Sequence, residues 1–200
     1  MHETTTTALL QDLGDPSKQA VWEEFDERYR PILVGVGLRL GLGREDAADA
    51  AQEALLRFVK GYRAGAYDRS RGRLRAWLIG IARHCVRDVQ AQRARRRERH
   101  GPSQIAELPD ERRMTLIWDE QQRRIMLEKA LAELRSSPRL GAPALRAFEM
   151  TALERRPAPD VAAELGLSLN DVYLAKHRCL RRLRSILTEL DKAYSLDAGP

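Results

Sequence analysis

Apolar residues recur along most of this chain at spacings of three and four, the period of helices that bury one face. Trp22, Phe25, Tyr29, Ile32, Val36 and Leu40 form the first stripe. It starts after Asp15-Pro16-Ser17 and gives out in Gly41-Leu42-Gly43, where glycine favours a helix C-terminus. A second helix is expected from about Glu45 to Tyr62. Its Ala51, Leu55, Phe58 and Tyr62 turn inward, with Asp46, Asp49, Gln52 and Glu53 on the other side. A loop with Gly61, Gly65, Tyr67, Ser70 and Gly72 follows. A third helix then carries Leu74, Trp77, Leu78, Ile81, Cys85 and Val89 inward.

The pattern stops in Arg93-Ala94-Arg95-Arg96-Arg97-Glu98-Arg99, and His100-Gly101-Pro102-Ser103 and Leu108-Pro109-Asp110 break the chain. A domain boundary is therefore expected between about 98 and 115. The second half resumes at Trp118 and runs through Leu127, Leu131 and Leu134, with an interruption from Pro138 to Pro143. A helix with Leu145, Phe148 and Leu153 comes next, then two closely spaced helices near 158–165 and 169–189. No internal repeat or strand pairing emerges. The expected fold is all-α: two small helical domains, 18–98 and 125–192, joined by a flexible linker over 99–124.

Composition narrows the classes. Ala, Leu, Arg and Glu dominate without runs of Val, Ile and Thr, which favours helix over sheet. The net charge of +6 and pI near 9.7 suit a polyanionic partner. No apolar stretch is long enough to span a bilayer, and the opening residues lack the basic-then-apolar order of a signal peptide. Cys85 and Cys179 sit inside helical patterns, where cysteine serves as a small buried hydrophobe. These features point to a cytoplasmic, reduced protein without membrane insertion. His84 with Cys85 and His177 with Cys179 are lone pairs without a second pair arranged for zinc, so no metal or cofactor is expected. There is no Gly-rich phosphate loop, no paired catalytic carboxylates and no nucleophile with a base, so an enzyme is not expected.

The sharpest local motif is Asp160-Val161-Ala162-Ala163-Glu164-Leu165-Gly166-Leu167-Ser168-Leu169-Asn170-Asp171-Val172. Gly166 falls where a helix end needs a left-handed residue. Ser168 can cap the next helix, with Asp171 in capping-box position. This is the layout of a helix-turn-helix, whose second helix enters the major groove. In that helix Val172, Cys179, Leu183 and Ile186 repeat on the core side. Asn170, Tyr173, Leu174, Lys176, His177, Arg178 and Arg181 fall outside or at the margins. Between Asp171 and Glu189 lie five Lys or Arg residues and no acid, a face suited to phosphates. A plain helical hairpin with a solvated basic side is the alternative.

Two N-terminal strings carry a family resemblance. Glu45-Asp46-Ala47-Ala48-Asp49-Ala50-Ala51-Gln52-Glu53-Ala54-Leu55-Leu56-Arg57-Phe58 resembles the sigma-factor helix that grips the polymerase clamp. Leu74-Arg75-Ala76-Trp77-Leu78-Ile79-Gly80-Ile81-Ala82-Arg83-His84 is similar to the segment that melts and reads the promoter minus-10 element. The helix-turn-helix then corresponds to region four, which reads minus-35, its basic end being Ala175 to Leu183. Two such blocks in this order, with a linker between, resemble the extracytoplasmic-function (ECF) class of sigma factors. The resemblance implies core RNA polymerase and promoter DNA as partners, with an anti-sigma factor as a further partner that nothing here names. It assigns 18–98 to region 2 and 125–192 to region 4.

By the same resemblance, Asp46, Asp49, Gln52, Glu53 and Leu56 meet the polymerase. Tyr67, Arg83, His84, Arg87 and Arg93 meet minus-10 DNA, with Arg95 to Arg97 extending a cationic rim. His84 stands where the family usually has Asn, and both side chains can hydrogen-bond a base. Trp77 is a flat side chain suited to stacking a base, but its spacing with Ile81 points it into the core. Asp110, Glu111, Asp119 and Glu120 either mimic nucleic-acid phosphates in the polymerase channel or belong to a plain tether. A stand-alone helix-turn-helix regulator is the other functional reading, and it leaves both N-terminal strings unexplained.

Overall fold

The computed structural model describes residues 9, 12–15, 17–68, 70, 73–98, 109–138 and 140–195, with only the backbone of 96–98. These residues form helices and their connections, without strands, so the fold is all-α. The helices are α1 (Gln19–Arg39), α2 (Arg44–Arg63), α3 (Leu74–Glu98), α4 (Glu111–Arg135), α5 (Ala142–Phe148), α6 (Ala158–Leu165) and α7 (Leu169–Tyr194). A π-helical turn, Glu149–Leu153, follows α5 directly. The chain divides into two compact units. The first holds described residues up to Ile125 and those from Lys192 onward, and the second holds Met126–Asp191.

In the first unit α1 packs on α2 and α2 on α3. The stripes read from the sequence make this core: Phe25, Tyr29, Ile32 and Val36 meet Ala47, Ala51, Leu55 and Phe58, with Leu78 and Cys85 beneath. Small alanines on α2 let neighbouring backbones approach. Phe58 is the hub, stacked on Phe25 at 5.1 Å and tilted against Trp77 at 5.2 Å. Pro31 lies inside α1 and supplies no backbone donor, but buried residues on both sides keep the helix continuous.

The stretch expected as a flexible linker is different in its second part. Residues 111–124 are helical, whereas 99–108 lie outside the described residues. The cause is local: Met114, Ile117 and Trp118 stand at i, i+3 and i+4 and are buried. Trp118 stacks near Tyr29 in the first unit, with ring centroids 6.4 Å apart, rather than opening the second. Gly35 of α1 permits this approach, because a Cβ there would collide with the buried Gln121 side chain. Asp119 pairs with Arg75, and Glu120 lies 3.7 Å from Arg39, so these acids are engaged within the unit.

Arg28 escaped the sequence reading altogether. It is 2% exposed, donates to the Ala193 carbonyl at 2.6 Å and to Glu24 at 2.8 Å, and lies over the Tyr194 ring. A buried guanidinium survives only with such partners.

The second unit is built on Ala147, Met150, Val161, Ala162, Val172 and Ala175, with Cys179, Leu183 and Ile186 also buried along α7. Gly166 ends α6 in the left-handed region, φ 63° and ψ 31°. The Asp171 backbone N–H donates to Ser168 Oγ at 3.1 Å, and the Ser168 hydroxyl donates to the Asp171 carboxylate at 2.6 Å. Turn and cap thus have the chemistry of a helix-turn-helix.

Candidate functional site

The acidic helix α2 begins with Glu45 and Asp46 in its first turn, where negative charge complements the helix dipole. Asp49, Gln52, Glu53 and Leu56, at i, i+3, i+4 and i+7, share one exposed face. Leu56 is 49% exposed, an apolar side chain set among polar ones. Glu53 accepts from Arg57 Nε at 2.6 Å, and Arg57 donates to Asp88 of α3 at 3.0 Å, which fixes the edge of this face. Asp46 stands apart. It is half-buried and ion-paired with Arg93 of α3, so one residue expected at polymerase neutralises one expected at DNA.

The loop after α2, the start of α3 and Glu111 line an open cavity of about 480 Å³. Its lining includes Tyr67, Trp77, Gly80, Ile81 and His84, with Asp68, Arg73 and Glu111 at its polar side. Trp77 is not a core residue in the sense its spacing suggested. It is half-buried, with one side near Phe58 and the other stacked near Tyr67 at 5.6 Å, and it faces the cavity. On that side α3 meets the loop after α2 and Glu111 at the start of α4, which leave a cavity against the ring. Tyr67 also stacks near Tyr62 at 6.5 Å, and burial pushes the Tyr62 phenol above its ordinary value.

His84 Nδ1 lies 2.9 Å from an Arg87 guanidinium nitrogen. A guanidinium only donates, so Nδ1 accepts and the ring proton sits on Nε2. Tyr67 and His84 thus share one cavity, and Arg87 fixes the tautomer of His84. Arg83 is half-buried, its Nε lacking a hydrogen-bond partner among the described residues. Arg93 does not line the cavity. Arg95 is exposed, and the side chains of Arg96 and Arg97 lie outside the described residues.

On α7, Asn170, Tyr173, Leu174, His177, Arg178 and Arg181 are exposed and Lys176 is half-buried. Tyr173 and Leu174 are 55% and 49% exposed, large apolar groups left in solvent at the start of a long helix. Arg182 pairs with Glu133 at 2.9 Å. Lys176, Arg178 and Arg181 have no ion pair among the described residues, so this face carries uncompensated positive charge.

Residues 25–99 match the family model of Sigma-70 region 2. The chain carries a Sigma-70 region 2 domain. The match spans most of α1 and the whole of α2 and α3, and so contains the acidic face and every lining residue of the aromatic cavity except Glu111. No curated protein matches the chain.

Around the region 2 domain, the sequence reading missed Arg73, Asp68 and Glu111 as cavity residues. Only Glu111 lay beyond reach, since it arrives from the far side of the Pro-rich break. Both thiols are buried, and burial pushes Cys85 up to about 11 and Cys179 in the same direction, so neither is a ready ligand. No group of three or more potential metal ligands occurs among the described residues. No described helix is long and apolar enough to cross a membrane.

Proposed function

We propose that this chain is an ECF-type sigma factor, a non-enzymatic protein of the cytoplasm that binds core RNA polymerase and directs it to promoters. The observation that carries the reading is the coincidence of the Sigma-70 region 2 match with an exposed acidic face and an aromatic-lined cavity on adjacent helices. Asp49, Gln52 and Glu53 surround Leu56 and offer a basic partner both charge and an apolar anchor, with Asp46 at the margin. Polymerase is the partner in this role.

At the minus-10 element, strand separation requires an unstacked base to be held, at a cost of a few kcal/mol. A base stacked on an aromatic ring recovers about 1–3 kcal/mol. Tyr67 and Trp77 supply such rings, and His84 offers its Nε2–H to a base acceptor. Arg83, Arg87 and Arg93 flank the strand, Arg93 once it leaves Asp46. In region 4, here 125–192, α7 reads the minus-35 duplex through Asn170, Tyr173, Leu174, Lys176, His177, Arg178 and Arg181. An anti-sigma factor is a fitting regulator for the same surfaces.

The test is reconstitution. The chain is expected to co-elute with core polymerase in gel filtration and to allow run-off transcription from members of a promoter library that core alone does not use. Failure to bind core sinks the proposal. A stand-alone regulator would bind duplex DNA without polymerase and leave the α2 face idle.

A further inference from the structure

The last turn of α7 belongs to a different unit from the rest of that helix: residues from Lys192 onward group with the first unit. Ala193 and Tyr194 are buried in it, whereas Asp191 and Lys192 just before them are exposed. Arg28 of α1 donates to the Ala193 carbonyl at 2.6 Å and lies over the Tyr194 ring, 5.5 Å from its centre. The Tyr29 hydroxyl donates to the Tyr194 carbonyl at 3.4 Å, and the two rings meet edge-on at 6.0 Å. We infer that this turn is an autoinhibitory latch, docked on α1 in the free chain and released when holoenzyme engages a promoter. The inference rests on the promoter-reading roles proposed for the aromatic cavity and for α7.

The chemistry of the contact is the first argument. The last carbonyls of a helix have no partner within it, and they form the negative end of its dipole. Arg28 brings a cation to that end of α7 and Tyr29 a hydroxyl, so α1 serves as its cap. Undocking would expose Arg28 and these carbonyls to water rather than leave them buried without partners, so no polar group is stranded. The docked part is also small, a single turn preceded by exposed residues. Both properties suit a contact that opens and closes.

Reach is the second argument. The two promoter elements are named for positions about 25 base pairs apart, which is about 85 Å of duplex. At about 1.5 Å of rise per residue, Asn170 to Leu174 lie no more than about 36 Å along α7 from Tyr194. From the Tyr194 ring, Trp77 is reached through Tyr29, Phe25 and Phe58. No step between ring centres exceeds 6.0 Å, so Trp77 stands within about 24 Å of Tyr194. While the turn is docked, the chain cannot hold its two reading surfaces more than about 60 Å apart, about 25 Å short of the duplex they are to span. Docking and full promoter engagement therefore exclude each other.

The experiment uses the full chain with Glu27→Cys in α1 and Lys192→Cys in α7, both exposed positions, while the native Cys85 and Cys179 are buried. Nitroxide labels on the two new thiols report their separation by pulsed electron resonance. The free chain should give a short, narrow distribution. Reconstituted holoenzyme on a promoter fragment recovered from a library should lengthen it by at least about 20 Å. Ala193→Arg, which sets a second cation against Arg28, should give the long distance already in the free chain, whereas Tyr194→Phe should stay short. A long or broad distribution in the free wild type, an unchanged distance on the promoter, or a short distance in Ala193→Arg overturns the latch. Joining the same two thiols with a short disulfide-containing linker should lower run-off transcription at least tenfold, and reductant should restore it. Full transcription by the linked chain overturns the latch as well. Core association is measured on the same samples. A wild type that does not bind core removes the proposed function and the reach argument with it, whereas a transcribing wild type whose distance stays short removes the latch alone.

Discussion

The aromatic cavity of the region 2 domain and the exposed face of α7 differ in how they are anchored. The cavity is concave and half-buried, and Trp77 belongs both to its wall and to the Phe25–Phe58 ring cluster. Its neighbouring charges are largely engaged, Arg93 by Asp46 and Arg87 at His84. The α7 face is open, and its core contacts are made by other residues: Val172, Ala175, Cys179 and Leu183. In the proposed role, a pocket that captures a flat ring must be shaped by packing, which would couple its stability to its function. A helix proposed to read duplex edges needs only free side chains on a rigid rod, so there the two would separate.

The largest effect is expected where that coupling is strongest. Phe58 is fully buried and touches Phe25, Tyr62 and Trp77. Phe58→Ala should destabilise the first unit by about 3–5 kcal/mol. Trp22, Trp77 and Trp118 all lie in that unit, so tryptophan fluorescence during urea unfolding reports it alone, while far-ultraviolet circular dichroism reports both. The fluorescence transition should move to lower urea and leave a residual helical signal unfolding where it does in the wild type. A shift below 1 kcal/mol would show that the cavity wall is independent of the ring cluster.

A smaller break comes from displacing α4, whose Glu111 closes one side of the cavity. Gly35→Val places a branched side chain against the buried Gln121 and should cost about 2–3 kcal/mol by overpacking. Adding Gln121→Ala should recover at least half of this, as neighbours in one packed contact are non-additive. Equal losses in the single and double variants would mean that the two side chains do not compete for the same space.

How much of this was legible beforehand follows the same division. The α7 face was readable in full, because its turn, its cap and its period are local: Gly166, Ser168 and Asp171 lie within six residues. The α2 stripe was equally local. Four features were not, and each depends on a distant partner. Trp118 looked like the start of the second half because its partner, Tyr29, is far away in sequence. Arg28 carries no local sign of burial, and residues 193 and 194 are what cover it. Trp77 had the spacing of a core residue, yet it lines a cavity that Glu111, distant in sequence, also lines. Periodicity shows which side of a helix is apolar, not what lies opposite. The pairing of Asp46 with Arg93 was hidden for the same reason.

A change confined to the second unit should leave the first untouched. Ser168 caps α7 through the Asp171 N–H, and Ser168→Ala should lower the stability of the second unit by about 1 kcal/mol. The circular dichroism transition should shift while the fluorescence transition holds. Movement of both together would mean that the two units unfold as one.

The smallest stability effect should accompany one of the largest effects on DNA. Tyr173 is more than half exposed and Asn170 is exposed beside it, so Tyr173→Ala should change unfolding free energy by no more than about 0.5 kcal/mol. If Tyr173 lies in the groove, holoenzyme binding to its preferred fragments should fall while binding to poor fragments scarcely changes, because only base contacts discriminate. This is the opposite of the pattern expected from loss of a phosphate contact, where all fragments weaken alike. A uniform loss for Tyr173→Ala would move the reading surface away from the first turns of α7. It would leave the region 2 cavity as the place where sequence is read, and the contrast between the two sites would no longer be one of two readers.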